Sequence, residues 1–157
     1  MSPSVQPIPD GYQRVTPYLS VRGASDAIDF YRKVFGAEER MRIAEPSGRI
    51  GHAELVIGDC VVMLSDEYPE MGIVSPPTIG GTAVTLAVYV EDVDATFDAA
   101  VQAGATVLRP VENQFYGDRS GQIEDPFGHR WSIQTHVEDV DPEEMGERAA
   151  AAMARDH

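Results

Sequence analysis

An internal repeat constrains this chain more than any other feature. Residues 19–37 and 88–105 each begin as an alternating strand and continue as a helix with apolar residues at helical spacing. Each segment ends at a Gly-Ala pair, and the glycines, Gly36 and Gly104, are typical of helix C-termini. A duplicated strand–helix unit predicts two copies of one supersecondary module.

Strand-like runs follow both helices. The runs are 38–44, 52–57 and 60–65 in the first copy and 106–114, 121–124 and 129–136 in the second. Turn signals at 58–59 and 125–128 precede the last run of each copy. The pattern predicts an α+β fold in which two βαβββ modules form curved mixed sheets around a cup, with an additional C-terminal helix.

The same pattern sets the expected domain boundaries. Asp141-Pro142 followed by two glutamates is a typical helix start, because a capping Asp, an early Pro and acidic residues all favour a helix N-terminus. The predicted segments are an N-terminal extension over 1–13, a first module over 14–67, a linker over 68–81, a second module over 82–139 and the C-terminal helix over 140–157.

Composition excludes several classes of partner. Lys and Arg total 12 against 26 Asp and Glu, a net charge of −14 that repels nucleic acid. This charge either attracts cationic ligands or only maintains solubility, and we favour the second interpretation. No apolar run approaches the roughly 18 residues that cross a membrane. Residues 1–10 lack a signal-peptide pattern, and Cys60 is the only cysteine, so we predict a cytoplasmic protein.

Strand alternation predicts which side chains line the cup. In each strand the more apolar set is expected beneath a helix, and the mixed set is expected to face the cup. The apolar sets include Val15 in the first strand, Leu64 in the fourth and Ile133 in the eighth. The predicted ligand-binding residues are Thr16, Tyr18, Met63, Thr85, Tyr89, Arg130, Ser132 and Gln134. Tyrosine has a flat apolar face with a polar tip and methionine fills irregular gaps, so this set suits a planar organic ligand. The alternative is that these side chains fill a collapsed cup.

Several motifs together resemble a known family. The segments that carry the resemblance are 16–21, 27–31, 52–59, 63–66 and 116–131. They are similar to the vicinal-oxygen-chelate superfamily, which includes glyoxalase I, extradiol dioxygenases, fosfomycin-resistance enzymes and bleomycin-resistance proteins, and most of all to its PhnB-like branch. The resemblance implies paired βαβββ modules, and we expect them in a homodimer.

The resemblance also implies where a metal would bind. In metal-using relatives four strand positions converge on one ion, and they correspond here to Thr16, Met63, Thr85 and Ser132. The first and third of these differ by 69 positions, as do the second and fourth, which agrees with the repeat. Hydroxyls and a thioether are poor ligands for zinc, nickel, iron or manganese. We therefore predict no metal at these positions and no cofactor, which disfavours glyoxalase, dioxygenase and metal-dependent thiol-transfer activity.

Three other residues are candidates for acid–base catalysis. His52 and Glu54 are two positions apart and share a strand face, and His136 is also predicted to face the cup. These three could instead form a displaced metal site, which we consider the weaker alternative. A purely structural alternative pairs Glu54 with Arg130 across the cup.

Two further features favour structural roles. We predict Cys60 to be a small buried thiol rather than a nucleophile, since no base is placed beside it by the sequence. Asp118 and Arg119 are expected to form a buried or half-buried pair before the seventh strand.

Two functions are consistent with these observations. The first is metal-independent binding of a small planar or drug-like ligand, cationic or aromatic, resembling sequestration by bleomycin-resistance proteins. The alternative is a glyoxalase-like isomerase, lyase or hydrolase that acts on a small oxygenated substrate, with Glu54 or His52 as acid or base.

Overall fold

The computed structural model describes residues 4–155. The first three and last two positions lie outside this range, so the N-terminal extension and C-terminal helix are described only within it, and His157 is not. The chain divides between Gly81 and Thr82 into two compact units. Each unit is described separately below.

The first unit contains one βαβββ module, as the sequence predicts. Its elements are β1 (Tyr18–Val21), α1 (Ala24–Phe35), β2 (Glu38–Ala44), β3 (Ile50–Ile57) and β4 (Cys60–Asp66). The sheet order is β1-β4-β3-β2, with β1 parallel to β4 and the other pairs antiparallel. Helix α1 packs against all four strands, and Ile28, Tyr31, Leu55 and Leu64 are fully buried in this core.

The second unit repeats the arrangement. Its elements are β5 (Thr85–Tyr89), α3 (Val93–Gln102), β6 (Thr106–Asn113), β7 (Asp118–Glu124) and β8 (Arg130–His136). The sheet order is β5-β8-β7-β6, with β5 parallel to β8. Helix α3 packs on β6, β7 and β8, where Phe97, Ile123, Trp131 and Ile133 are buried. The predicted α+β fold of two mixed sheets is confirmed.

In both modules, a side chain at an equivalent position near the end of the last strand caps the N-terminus of the helix. The Asp66 carboxylate accepts hydrogen bonds from the backbone N–H groups of Gly23 (3.0 Å) and Ala24 (2.7 Å). Sixty-nine positions later, the Thr135 hydroxyl accepts from the backbone N–H of Val93 at 2.9 Å. Backbone donors at a helix start need such acceptors. The repeat therefore extends to capping contacts between distant segments.

The linker between the modules has structure that alternation did not predict. It contains a 3₁₀ turn (Pro69–Met71) and a short helix α2 (Pro76–Ile79). Glu67 anchors this segment by accepting hydrogen bonds from the hydroxyls of Ser75 and Thr78 and from the Ser75 backbone N–H. These donors lower the pKa of Glu67 to about 2, so its carboxylate stays ionised.

The C-terminal helix α4 (Pro142–Arg155) begins as predicted. The Asp141 carboxylate accepts a hydrogen bond from the Glu144 backbone N–H at 3.0 Å, which caps the helix. Arg148 joins α4 to the preceding loop through Glu138, at 2.7 and 2.9 Å. No helix within residues 4–155 is long and apolar enough to cross a membrane.

The start of the first strand differs from the sequence prediction. The alternation included Val15 and Thr16, but β1 begins only at Tyr18. Pro17 has no backbone N–H, so it cannot donate to a sheet ladder. Val15, which was expected beneath α1, is 85% exposed, and the Thr16 hydroxyl lies 3.4 Å from the Gln13 carbonyl oxygen.

Candidate functional site

Each sheet has one face covered by the helix of its own module, and we call the other side its open face. Successive side chains of a strand point alternately to the two faces of its sheet. Open face 1, in the first module, contains Tyr18, Met41, His52, Glu54 and Met63. Open face 2, in the second module, contains Thr85, Tyr89, Asp118, Arg130, Ser132, Gln134 and His136.

A row of side chains crosses open face 1. Tyr18 on β1 is the register partner of Met63 on β4, which in turn pairs with Glu54 on β3. Met41 on β2 is the partner of Glu54 on the other side. The structure therefore brings together two of the predicted ligand-binding residues and one candidate acid or base. Tyr18 remains 49% exposed, whereas Glu54 is only 4% exposed.

Hydrogen bonds join these polar groups into a continuous chain. The Tyr12 hydroxyl donates to Glu54 Oε1 at 2.6 Å. Glu54 Oε2 lies 2.8 Å from His52 Nε2, and His52 Nδ1 lies 2.9 Å from the Tyr18 hydroxyl. His52 and Glu54 thus form the close pair that their spacing on one strand predicted. Both carboxylate oxygens and both ring nitrogens have partners.

The protonation states along this chain follow from its donors and acceptors. Hydrogen bonds from Tyr12 and then His52 lower the pKa of Glu54, so its carboxylate is ionised at neutral pH. The same contact raises the pKa of Tyr12, which stays a neutral donor. An ionised carboxylate only accepts hydrogen bonds, so His52 must carry its proton on Nε2. In neutral His52 the Nδ1 atom is therefore an acceptor for the Tyr18 hydroxyl.

The N-terminal segment contributes a residue that the strand pattern did not reveal. The Tyr12 ring is stacked beneath the Arg40 guanidinium, 4.6 Å from its centroid. The neighbouring Gln13 side chain bonds to both backbone groups of Val61 on β4, at 2.6 and 3.2 Å. These contacts join positions 28 to 48 residues apart, so no local sequence signal indicates them.

Open face 2 collects the ligand-binding residues predicted in the second half. Thr85 pairs in register with Arg130, and Tyr89 with Gln134, across the parallel strands β5 and β8. The Ser132 hydroxyl donates to Gln134 Oε1 at 3.3 Å. All five predicted residues of this module therefore lie on one side of one strand pair. Thr16 is the predicted ligand-binding residue that lies outside a strand.

A second hydrogen-bonded cluster lies at one edge of open face 2. Buried Asp118 accepts a hydrogen bond from the Tyr89 hydroxyl at 2.8 Å and contacts His136 Nδ1 at 2.8 Å. His136 Nε2 contacts Asp139 at 2.7 Å. Hydrogen bonds to Asp139 and Asp118 raise the pKa of His136, and the bond to Asp118 raises that of Tyr89. The partner of the strand tyrosine differs from open face 1, because Tyr89 bonds to a carboxylate whereas Tyr18 bonds to an imidazole.

One expected ion pair is wrong. Asp118 and Arg119 do not pair with each other, because neighbouring residues of a strand point to opposite faces. The Arg119 guanidinium instead binds Asp94 on α3 through two hydrogen bonds of 2.9 and 3.0 Å. The Glu54 carboxylate bonds to Tyr12 and His52 of its own unit. The guanidinium of Arg130 lies 4.0 Å from Glu124.

Cys60 is also different from its expected state. It is exposed rather than buried, because it is the first residue of β4, directly after the turn at Gly58 and Asp59. Partial desolvation and the contact to the Asp59 carboxylate at 3.5 Å raise the pKa of the thiol. A raised pKa disfavours the thiolate, so Cys60 is not an activated nucleophile.

The donor set at the family's metal positions does not fit a divalent ion. Met63 in the first module and Ser132 in the second offer a thioether and a hydroxyl, and Thr16 and Thr85 offer hydroxyls. Over residues 4–155, no three His, Cys, Asp or Glu side chains cluster as a metal site would require. His52 and Glu54 lie in one module, whereas His136 bonds to carboxylates of the other.

A family model of the glyoxalase/bleomycin resistance protein/dioxygenase superfamily matches residues 12–133. The chain belongs to this superfamily. The match spans both modules, so the vicinal-oxygen-chelate resemblance noted from the motifs is confirmed. The superfamily explains the duplicated βαβββ architecture, but its members differ in chemistry, so the family alone assigns no reaction.

Relatives of this superfamily member include an uncharacterised protein of Mycobacterium bovis, 45% identical over 134 residues that cover 83% of this chain and 88% of the relative. Among solved structures, a PhnB protein from Bacillus cereus aligns with a TM-score of 0.63 and 21% identity, covering 78% of this chain and 99% of that one. The fosfomycin resistance protein FosX from Mesorhizobium loti aligns with a TM-score of 0.58 and 17% identity, covering 78% and 91%. These two likenesses concern the fold.

Proposed function

We propose that the open faces bind a small planar organic ligand without a metal ion, in the manner of a sequestering member of the superfamily. The observation that carries this proposal is the exposure of one tyrosine ring on each open face, 49% for Tyr18 and 63% for Tyr89. Each ring is held by a hydrogen bond through its hydroxyl. A pre-ordered aromatic ring offers flat apolar contact at low entropic cost.

Charge and polarity support the class of ligand. The net charge of −14 favours a ligand that is cationic or at least not anionic. On open face 1, Met63 supplies an adaptable apolar contact beside Tyr18. On open face 2, Arg130, Ser132 and Gln134 supply polar contacts that orient a ligand. The proposal includes a homodimer in the cytoplasm.

A thermal-shift screen tests ligand binding. We expect planar aromatic compounds, both cationic and neutral, to include ligands that raise the melting temperature by about 5 °C or more at saturating concentration. For a neutral ligand, replacing Met63 with glutamate should remove most of this shift, because it exchanges the apolar contact beside Tyr18 for a charged carboxylate next to Glu54. The affinity is expected to fall at least about tenfold.

Met71→Glu is the matched control for this variant. Met71 is 70% exposed in the linker turn of the same unit, away from the strands. Met71→Glu makes the same chemical change outside open face 1, so the ligand-induced shift of this variant should equal that of the unmodified protein. The melting temperatures without ligand report whether each variant folds. Equal loss in both variants, or no stabilising compound in the screen, would contradict binding at open face 1.

A further inference from the structure

The hydrogen-bonded chain on open face 1 has a definite direction. Its buried member is the carboxylate of Glu54, the imidazole of His52 comes next, and the half-exposed residue Tyr18 lies at one end, with Tyr12 at the other. Both imidazole nitrogens and both carboxylate oxygens already have a partner within the chain, and Glu54 is only 4% exposed. Tyr18 is therefore the member of the chain that a bound ligand contacts most directly.

We propose that Tyr18 accepts a proton from the ligand, and that His52 and Glu54 act through it as positioning residues. The inference rests on the proposed function and specifies its ligand as an aromatic compound with a weakly acidic hydroxyl group. As the ligand O–H bond breaks, its proton moves to Tyr18 Oη, and the original Tyr18 proton moves to His52 Nδ1. The products are a bound ligand phenolate, a neutral tyrosine and an imidazolium next to the Glu54 carboxylate.

Electrostatics favours this transfer. The imidazolium forms 2.8 Å from an ionised carboxylate that is almost fully buried, where opposite charges attract more strongly than in water. Tyr12 holds the second oxygen of the same carboxylate at 2.6 Å and keeps it ionised. The ligand phenolate is then balanced by a positive charge on His52, even though the protein as a whole is acidic.

The second module shows why the order of the groups matters. Tyr89 donates directly to the Asp118 carboxylate, and this bond raises the pKa of Tyr89. No imidazole stands between the phenol and the carboxylate. A tyrosine held in this way keeps its proton, so we assign proton acceptance to open face 1 alone.

Absorbance of bound p-nitrophenol tests the inference, because its phenolate absorbs in the visible range. At about one pH unit below the pKa of the probe, roughly a tenth of the free probe is phenolate. We expect the phenolate-to-phenol ratio of the bound probe to rise at least about tenfold. In Tyr18→Phe the ratio should return to that of the free probe, while equilibrium dialysis shows affinity reduced by less than about tenfold.

Matched variants separate the relay from a general loss of packing. His52→Gln keeps a polar side chain that takes no proton, so it should abolish the ratio change as fully as Tyr18→Phe. Tyr68→Phe removes a tyrosine hydroxyl on the opposite side of the sheet, near Gly51, and should leave the ratio change intact. A ratio change that persists without Tyr18 or His52 overturns the relay.

The outcomes also distinguish the relay from the proposed binding function. If p-nitrophenol binds but keeps the ratio of the free probe, the relay is wrong and ligand binding stands. If it fails to bind while other planar compounds stabilise the protein, the assigned ligand class and the relay are wrong. If no compound binds, both proposals fail.

Discussion

Replacing Asp125 with alanine should lower the free energy of unfolding by about 4 kcal/mol. The buried carboxylate accepts hydrogen bonds from the backbone N–H groups of Phe127 and His129, at 2.9 and 3.0 Å, and from the indole N–H of Trp131 at 2.9 Å. Alanine leaves these three donors without their acceptor, next to the core of the second module. Urea denaturation followed by circular dichroism measures the change.

The equivalent turn of the first module provides the control. Asp59 connects β3 to β4 and contacts only the Cys60 thiol, at 3.5 Å, among the contacts seen in the described part of the chain. Asp59→Ala should therefore change stability by less than about 0.5 kcal/mol. Asp125→Asn keeps an acceptor oxygen and should cost less than Asp125→Ala. Similar losses for the two alanine variants would show that the hydrogen bonds of Asp125 are not the cause.

Replacing Gly117 with alanine should cost about 3 kcal/mol or more. Gly117 has a φ of 98°, and a Cβ atom there would overlap the carbonyl oxygen of Glu138 and lie 3.2 Å from Val140 Cγ2. The Gly117 carbonyl oxygen also accepts hydrogen bonds from the backbone N–H groups of Val137 and Glu138. The substitution forces apart two loops that hold Asp118 against His136, so denaturation should occur at a clearly lower urea concentration.

Gly48→Ala separates backbone strain from steric overlap. Gly48 has a φ of 93°, similar to that of Gly117, but no atom lies within 4 Å of an added Cβ. This variant should lose only about 1 kcal/mol, the cost of the left-handed conformation itself. If the two variants lose the same stability, the close approach of Glu138 has no energetic consequence.

Much of the fold follows from the sequence because its signals are local. Alternation placed Leu64 and Ile133 in the core and Met63 and Ser132 opposite them, and Gly36 marked the end of α1. Proline is also a local signal, and Pro17 favours a start of β1 at Tyr18 because it has no backbone N–H for the sheet. The sequence does not predict the linker helix at Pro76–Ile79, because four residues are too few for a periodic pattern.

The site could be predicted only in part. Strand parity put His52 and Glu54 on one face, and their 2.8 Å contact agrees with that prediction. Parity does not reveal which distant residue supplies the remaining partner. Tyr12 reaches Glu54 from 42 positions away, and Asp118 reaches Tyr89 from 29. Such contacts depend on how the chain folds over the sheet, so the sequence alone does not predict the two clusters.

The two clusters differ in the group that binds the hydroxyl of the strand tyrosine. In the proposed relay Tyr18 passes its proton to His52, whereas Tyr89 on open face 2 stays a donor to the Asp118 carboxylate. The two modules of the repeat therefore differ in the group that holds the strand tyrosine of the open face. The proposed relay uses the same kinds of groups as acid–base catalysis, which is the alternative function considered from the sequence.

The dependence of ligand affinity on metal ions tests the central claim most directly. A ligand from the thermal-shift screen is titrated by calorimetry into the purified protein before and after treatment with EDTA, and again after addition of zinc, nickel or manganese. Metal-independent binding predicts dissociation constants that agree within about twofold in all conditions. Loss of binding on chelation, restored by one of these ions, would contradict the claim and indicate a metal centre.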